Sequence, residues 1–487
     1  MLKNSWSKIT MPMARCAIAL ISFVSQTVIP FPANAITNSY CQFEQNEITT
    51  KETLRQNAIA GNPTAQEQYK KVIQQHRDML INCRRNNWLK EQAIWLRIYP
   101  CDVRDGSIDK VLDTIVNKGY NTVYVEVFFD GQVLLPKNGN YTPWPSVVDM
   151  AGYENRDLYA ETLQKGRERG LKVYAWLFSM NFGYLYAQRS DRQNVLARNG
   201  KGQTSVDFVH DKSQAFIDPY SPQARQDYTQ LLQAVLQRRP DGVLFDYIRY
   251  PRGSGKDSVV GKVKDLWIYS EASKQTLLKR AQNKQGRWLL ERYINQGMIN
   301  ANDIAQMKNL YSDEKTPLWQ GKSPSASNNL STLQLDIWYF TVAHAAQGVI
   351  DFLEFSSNQV KQRGITTGAV FFPDGNQVVG DIGFDSRLQP WDSFSQSMEW
   401  HVMSYALCGN PNCIVEQVKR VLQASSQGSN VKPVLAGFWG KNEGQRPSLE
   451  SQMEGIRASA RSVQSISHFA YSWLEVENTR QRQSCSN

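Results

Sequence analysis

The stretch Asp241-Gly-Val-Leu-Phe-Asp-Tyr-Ile-Arg-Tyr-Pro251 decides the fold class. It is an apolar β-strand pattern that is interrupted by one acidic residue, Asp246. Side chains alternate along a strand, so Asp246 shares a face with Leu244. Burying an ionisable group among apolar side chains is costly unless the group is paired or used. We therefore expect Asp246 either to be functional or to pair with an arginine such as Arg249 or Arg97.

Seven further apolar runs accompany this strand, and most are separated by helical or loop patterns. The eight predicted strands are residues 93–100, 122–129, 171–178, 241–251, 365–373, 400–407, 433–439 and 466–473. Eight strands that alternate with helices predict an α/β protein with a (β/α)8 TIM-barrel fold. A doubly wound open sheet is the alternative, but residues 99–106 after the first strand contain a single glycine rather than a glycine-rich phosphate loop.

The barrel pattern does not account for the whole chain. The sequence predicts two segments before the barrel and one insertion within it. Residues 1–35 form a signal peptide, 36–90 an N-terminal helical extension and 91–480 the barrel. Residues 253–330 break the strand–helix rhythm and predict a helical subdomain inserted after strand four. The length of 487 residues is compatible with this organisation.

The N-terminus is typical of a cleavable secretory signal. Lys3, Lys8 and Arg15 are basic, residues 17–30 are mostly apolar, and Ala33-Asn34-Ala35 presents small residues for cleavage after Ala35. The apolar region is short for a membrane-spanning helix, and an uncleaved anchor is the alternative. We expect a secreted or periplasmic protein with no stable membrane span after cleavage.

Composition excludes several classes of protein and partner. The chain is 41% hydrophobic and carries a formal net charge of +10, which excludes a disordered chain and a protein with many membrane spans. No basic run is dense enough to predict nucleic-acid binding. The sequence does not determine the oligomeric state.

Six cysteines follow the signal, and an even number in an exported chain indicates disulfides. Cys408-Gly-Asn-Pro-Asn-Cys413 closes a tight turn and predicts one bridge. The other four allow three pairings, which the sequence leaves open: Cys41, Cys83, Cys101 and Cys485. No Cys-x-x-Cys pair and no histidine-rich spacing is present, so we expect neither a metal nor a cofactor.

Polar residues at the ends of barrel strands are the candidates for chemistry, because TIM-barrel active sites lie at the carboxyl ends of the strands. Asp374 directly follows strand five, and Glu126 interrupts strand two on the face that also carries Asp130. Glycosidic chemistry needs two carboxyl groups. The predicted catalytic residues are Asp246, Asp374 and Glu126. The predicted substrate-binding residues are Arg97, Trp176, Tyr247, Arg249, Tyr405, Trp439 and Trp473.

Carboxylates beside aromatic side chains predict a glycoside hydrolase that acts on a polysaccharide or oligosaccharide, since aromatic rings offer flat surfaces to sugars. A non-catalytic glycan-binding envelope protein on the same scaffold is the main alternative. A polysaccharide lyase or a metal-dependent deacetylase is a further one, with His210 and Asp211 as an isolated pair for the latter. The sugar, the linkage and the stereochemical outcome stay open.

The strand-four motif resembles that of secreted glycosyl hydrolase-like proteins, the "family 10 glycosylhydrolase" group. Asn121-Thr-Val-Tyr-Val-Glu-Val, Arg169-Gly-Leu-Lys-Val-Tyr-Ala-Trp176, Ser221-Pro-Gln-Ala-Arg225 and Met403-Ser-Tyr405 extend the similarity over roughly residues 91–475. The resemblance implies a TIM barrel that acts on or binds polysaccharide, with Asp246 as the catalytic carboxylate. Glu126 stands where the family pattern has Gln or another neutral residue, which leaves the second carboxylate open. Residues 253–330 are longer than the family pattern.

Overall fold

The computed structural model describes residues 39–210, 212–426 and 428–485. The predicted signal peptide, residues 1–35, lies outside the described residues. No helix among the described residues is both long enough and apolar enough to cross a membrane.

Eight parallel strands form a closed barrel, which confirms the predicted (β/α)8 fold. The strands are β1 (Glu91–Leu96), β2 (Thr122–Phe129), β3 (Lys172–Phe178), β4 (Gly242–Asp246), β5 (Thr366–Phe371), β6 (Glu399–Met403), β7 (Val431–Ala436) and β8 (Ser465–Phe469). Each strand pairs with its neighbours in chain order, and β1 pairs with both β2 and β8. That last pairing closes the sheet and excludes the open doubly wound alternative.

The strands read as apolar runs because both of their faces are buried. One face points to the barrel axis: the Trp95 ring of β1 contacts the rings of Tyr124 on β2, Trp176 on β3 and His401 on β6. The opposite face packs against the surrounding helices. Side chains two residues apart on an extended chain point to the same face. Arg97, which directly follows β1, therefore lies on the same axial face as Trp95.

Helices cover the outside of the barrel. They are α1 (Gln45–Ile59), α2 (Pro63–Asn86), α3 (Ser107–Asn117), α4 (Leu158–Glu168), α5 (Tyr184–Ala187), α6 (Ser205–Phe208), α7 (Pro222–Leu236), α8 (Glu271–Lys279), α9 (Lys284–Gln296), α10 (Ala301–Leu310), α11 (Leu330–Lys361), α12 (Asn412–Ala424), α13 (Leu449–Ser459), α14 (Tyr471–Leu474) and α15 (Val476–Ser484). Their starts follow capping chemistry: the Ser221 side chain accepts from Ala224 N at α7, and Pro222 occupies the first turn.

The two N-terminal helices attach to the barrel helices through buried polar contacts. Tyr69 of α2 donates to Asp113 of α3 at 2.5 Å, and Arg169 donates to the same carboxylate at 2.9 Å. Lys51 of α1 lies 3.8 Å from Asp113. The region 253–330 contains α8, α9 and α10 and the short strand Val259–Val260, which pairs with Gly383–Asp385.

Three disulfides are present among the described residues. Cys408–Cys413 confirms the pair predicted from the tight turn. The pairings that the sequence left open are Cys41–Cys83 and Cys101–Cys485. The second of these joins the loop after β1 to the end of α15, so the C-terminal helix is fixed at the carboxyl end of the barrel.

The amino end of the barrel is filled by a buried ionic network. Lys432 Nζ lies 2.8 Å from Glu91 and 2.7 Å from Glu399. His401 Nε2 bonds the other oxygen of Glu399 at 3.1 Å. Burial alone would raise the pKa of Glu399, but the His401 hydrogen bond and the Lys432 charge lower it to about 2. These carboxylates are fully engaged in structure.

Candidate active site at the carboxyl end of the barrel

Asp246 is the last residue of β4, and its carboxylate receives two hydrogen bonds. The Tyr247 backbone N–H donates to Oδ1 at 2.6 Å, and the Trp176 ring N–H donates to Oδ2 at 3.0 Å. The residue is 7% exposed. No arginine, lysine or histidine among the described residues forms an ion pair with it, so neither Arg249 nor Arg97 neutralises it directly.

The electrostatic setting of Asp246 favours its protonated form. Burial raises the pKa of Asp246 to about 6, against the lowering effects of the Tyr247 and Trp176 hydrogen bonds and of the Arg249 charge. A carboxyl group with a pKa near the working pH can both hold and release a proton, which is the property that acid–base catalysis needs.

Glu126 of β2 is the second carboxyl group of this region. It is fully buried and forms a bidentate pair with Arg97 of β1, in which Nη2 donates to Oε1 at 3.0 Å and Nε donates to Oε2. Burial raises the pKa of Glu126 to about 7 although Arg97 lowers it, and the charges of Asp130 and Asp246 raise it further. Asp246 and Glu126 are therefore electrostatically coupled.

Asp130 is a residue that the sequence analysis placed on the Glu126 face without assigning it a role. It follows β2, is half-buried and has a positive φ of 46°. Tyr247 also has a positive φ, of 50°. Non-glycine residues in this conformation are uncommon and are enriched at functional sites. The usable signal in the sequence was an acidic residue directly after strand two, whereas its backbone conformation is visible only in the structure.

The structure places Asp374 in a different setting. Its Oδ2 lies 3.0 Å from Arg387 Nη2, and its side chain is 42% exposed. Arg387 is also paired with Asp385 at 2.7 Å. Asp374 thus belongs to a rim ion-pair cluster after β5, and none of its recorded contacts is with Asp246.

Two more predicted residues, Tyr247 and Arg249, lie next to Asp246. The Arg249 guanidinium stacks 4.7 Å from the Tyr247 ring, 5.5 Å from Phe216 and 5.8 Å from Phe372. Arg249 Nη1 donates to the Tyr250 carbonyl at 2.8 Å. The Arg249 side chain is thus held between aromatic rings close to the candidate catalytic carboxylate.

A cavity of roughly 190 Å³ opens at this end of the barrel. Trp95, Arg97 and Trp176 line it from the strands, and Phe469 lines it from the end of β8. Trp176 connects the cavity to Asp246 through its ring N–H. Tyr405 lies 6.2 Å from Phe469, ring to ring, and the charge of Asp246 helps raise its pKa.

The structure groups Trp439 and Trp473 around a second cavity, of roughly 640 Å³, beside the ends of β7 and β8. Phe469 and Ala470 border both cavities. The Trp439 ring N–H donates to Tyr120 at 3.1 Å, and the Trp473 ring stacks on Phe438 at 5.2 Å. The predicted binding residues therefore divide into two neighbouring groups rather than one.

We also looked for side chains arranged to bind a metal ion. Within residues 39–210, 212–426 and 428–485, no group of three or more His, Cys, Asp or Glu side chains is arranged to hold a metal ion. Asp211, one of the pair considered for a deacetylase, lies outside the described residues.

Comparison with known proteins supports the resemblance seen in the sequence. Residues 79–317 match the model of the family described as glycosyl hydrolase-like 10, which confirms that resemblance. No curated protein matches the chain.

Several solved structures are similar. The PgaB (BpsB) glycoside hydrolase domain from Bordetella bronchiseptica is 14% identical, with 80% of this chain and 98% of that chain covered and a TM-score of 0.43. A β-galactosidase from the psychrophilic Marinomonas ef1 is 10% identical, with 78% and 54% covered and a TM-score of 0.44. A GH18 chitinase from Pseudoalteromonas aurantia is 11% identical, with 78% and 94% covered and a TM-score of 0.38. The closed strand order of the barrel, rather than these similarities, establishes the fold.

Proposed function

We propose that this protein is an exported glycoside hydrolase that cleaves a polysaccharide, with Asp246 as a catalytic carboxyl group. The observation that carries the proposal is the state of Asp246: a carboxylate at the carboxyl end of a barrel strand, held by two N–H donors and without a cationic partner among the described residues. Glu399, which belongs to the amino-end network, does have such a partner in Lys432. The match of residues 79–317 to a glycosyl hydrolase-like family supports this reaction class.

Both carboxyl groups have raised pKa values, about 6 for Asp246 and about 7 for Glu126, because both are buried. Each can therefore hold or release a proton near neutral pH, which is what an acid and a base in glycoside hydrolysis need. Glu126 is fully buried behind Arg97, whereas Asp130 is partly exposed, so Asp130 is the competing candidate for the second role. Asp374 is less favoured because Arg387 holds it at the rim.

Export is part of the proposal. Three disulfides join cysteines along the described chain, and disulfides persist in oxidising compartments such as the periplasm and the cell exterior. The signal-like residues 1–35 agree with that placement. A polysaccharide of the cell envelope or surroundings is then the accessible substrate.

The test is hydrolysis of bacterial envelope and exopolysaccharide fractions, with chromatographic analysis of the products. Asp246→Asn should lower turnover by about 10²–10⁴-fold, the usual contribution of a positioned acid or base. Asp241→Asn is the matched control, since Asp241 precedes the same strand at its other end and accepts a hydrogen bond from Val173 N. Glu126→Gln and Asp130→Asn then identify the second carboxyl group.

A non-catalytic glycan-binding protein on the same barrel is the rival function. It is favoured if the purified protein binds a fraction without releasing products and if Asp246→Asn leaves that binding unchanged. Full retention of turnover by Asp246→Asn would show that Asp246 is not the catalyst.

A further inference from the structure

We propose that the site takes an acidic glycan, one whose sugars carry carboxylate groups, and that Arg249 is the residue that recognises the acid. This inference rests on the proposed function, because it names the substrate class of the same site. Its basis is the distribution of positive charge around the carboxyl end of the barrel.

The first observation is the lining of the cavity of roughly 190 Å³ that Trp176 connects to Asp246. Two arginines, Arg97 and Arg482, line it, and none of the described residues that line it is Asp or Glu. The carboxylates that pair with these arginines, Glu126 and Asp102, are both 0% exposed. The cationic halves of two ion pairs therefore face the cavity, while the anionic halves are buried behind them, and such a lining attracts anions.

The second observation is Arg249 itself. It is only 6% exposed, yet no carboxylate among the described residues lies within ion-pair distance of it. Its guanidinium carries five N–H donors, and the one recorded acceptor is the Tyr250 carbonyl. Buried charges are normally paired, because an unpaired one loses its hydration without compensation.

Other buried arginines of the molecule show what compensation looks like. Arg169 pairs with Asp113 and Asp109, and Arg482 pairs with Asp102. Arg84 has no carboxylate partner either, but it donates to the carbonyls of Gly119, Leu89 and Tyr40 and to Gln92. Arg249 has only one carbonyl acceptor and its aromatic rings, so its other N–H donors have no carboxylate or carbonyl partner among the described residues.

The third observation is the position of Arg249. Its guanidinium lies 4.7 Å from the ring of Tyr247, and the Tyr247 backbone N–H donates to Asp246, so Tyr247 contacts both groups. The rings of Tyr247, Phe216 and Phe372 hold its side chain in place. Arg252, which is exposed and lies 5.8 Å from the Phe372 ring, adds a further positive charge on the same side.

This arrangement fits a sugar carboxylate better than a neutral hydroxyl. A planar guanidinium with free donors matches the two oxygens of a carboxylate and forms two parallel charge-assisted hydrogen bonds. A uronate bound next to Asp246 would supply those oxygens. The net charge of +7 that remains after loss of Lys3, Lys8 and Arg15 with the signal (+10 − 3) would favour the approach of an acidic polymer.

Binding is measured by calorimetry in an Asp246→Asn background, so that the result does not depend on turnover. The probes are oligosaccharides from a panel of glucuronate- and galacturonate-containing bacterial polysaccharides, each compared with its own carboxyl-reduced form. A sulfated glycan is included as a second type of anion. We expect at least one uronate-containing probe to bind, with an affinity at least tenfold above that of its reduced counterpart.

Arg249→Met should remove that discrimination, and Arg225→Met is the matched control. Arg225 also stacks on a ring, Phe355 at 5.2 Å, and also donates to one backbone carbonyl, that of Pro219, but it lies on α7. The control variant should keep the tenfold preference. If Arg249→Met does not fold, Arg249→Lys keeps the charge and loses the fork, and it should weaken the preference.

Several outcomes overturn the inference. They are equal binding of native and reduced probes, a preference that survives Arg249→Met, a preference for the sulfated glycan alone, and no binding to any uronate-containing probe. Hydrolysis of a neutral polysaccharide, abolished by Asp246→Asn, would contradict the acidic substrate while leaving the proposed hydrolase function intact.

Discussion

The pKa values of buried carboxyl groups are shifted in opposite directions at the two ends of the barrel. At the amino end, Lys432 lies between Glu91 and Glu399, and the pKa of Glu399 falls to about 2. At the carboxyl end, the pKa values of Asp246 and Glu126 rise to about 6 and about 7. All of these side chains are largely or fully buried. Burial alone therefore does not distinguish a structural carboxylate from a reactive one.

The difference lies in how the charge is compensated. The amino-end carboxylates have a lysine, a histidine and hydroxyl donors, including Ser465, which donates to Glu91 at 3.0 Å. Asp246 has two neutral N–H donors, and Glu126, although paired with Arg97, shares its surroundings with two further negative charges. Perturbed carboxyl groups that cost stability are typical of catalytic sites. Four variants, two at each end of the barrel, test this comparison.

The largest expected effect on stability is at the amino end. Lys432→Met removes the buried cation between Glu91 and Glu399 and leaves Glu91 with only the exposed Lys172, 3.6 Å away, so we expect a loss of about 3–5 kcal/mol in the free energy of unfolding. Lys419→Met is the control, because Lys419 forms an exposed pair with Glu416 and should change stability by less than about 1 kcal/mol. Urea unfolding measures both. Equal losses would show that the amino-end network does not stabilise the barrel.

The next effect is a pH dependence of stability at the carboxyl end, opposite in sign to the one expected for Glu399 at the amino end. The folded pKa of Asp246 is raised from 3.8 to about 6, so the folded state binds the proton more tightly and stability is lost as the pH rises through that interval. Asp246→Asn removes this loss. Its stability relative to wild type should increase from pH 4 to pH 8 by up to about 3 kcal/mol. A difference that does not vary with pH would contradict the raised pKa.

Glu399→Gln provides the contrast for that experiment. The folded pKa of Glu399 is lowered from 4.5 to about 2, so its stabilising contribution is present above pH 4.5 and is lost as the pH falls towards 2. The two stability profiles should therefore run in opposite directions.

The smallest effect is expected for Arg97→Met. It also removes the cation from a buried carboxylate, but Glu126 has a pKa of about 7 even with Arg97 present and can take up a proton. We expect a loss of about 1–2 kcal/mol at pH 6, rising at higher pH. Unfolding at pH 6 and pH 8 measures it. A loss as large as that of Lys432→Met at pH 6 would mean that Glu126 stays ionised.

Much of the fold could be predicted because the strand signal is local. Strand two was predicted at its observed bounds, 122–129, and strand four was predicted to begin within one residue of Gly242. Strand four was predicted to extend to Pro251, whereas β4 ends at Asp246. The difference arises because Tyr247 adopts a positive φ, which the apolar pattern Ile-Arg-Tyr-Pro does not reveal.

The candidate site was predicted only in part. Asp246, Trp176, Tyr247 and Arg249 are brought together, as their positions near two neighbouring strand ends suggested. The pairing of Glu126 with Arg97 and that of Asp374 with Arg387 were not predicted, because each partner could have reached several acids. Trp176 lines one cavity, whereas Trp439 and Trp473 line the other, and this separation was not visible in the sequence.

Residue periodicity and short spacings were enough to predict the barrel and the turn disulfide and to single out Asp246 as a candidate. Which carboxylates are neutralised depends on contacts that form only in the folded protein. Glu91 and Lys432 are 341 residues apart, and Cys101 and Cys485 are 384 apart, so no local pattern relates them. A carboxylate becomes structural or reactive according to the cations that distant strands bring within a few ångströms of it, and that proximity exists only after the barrel has closed.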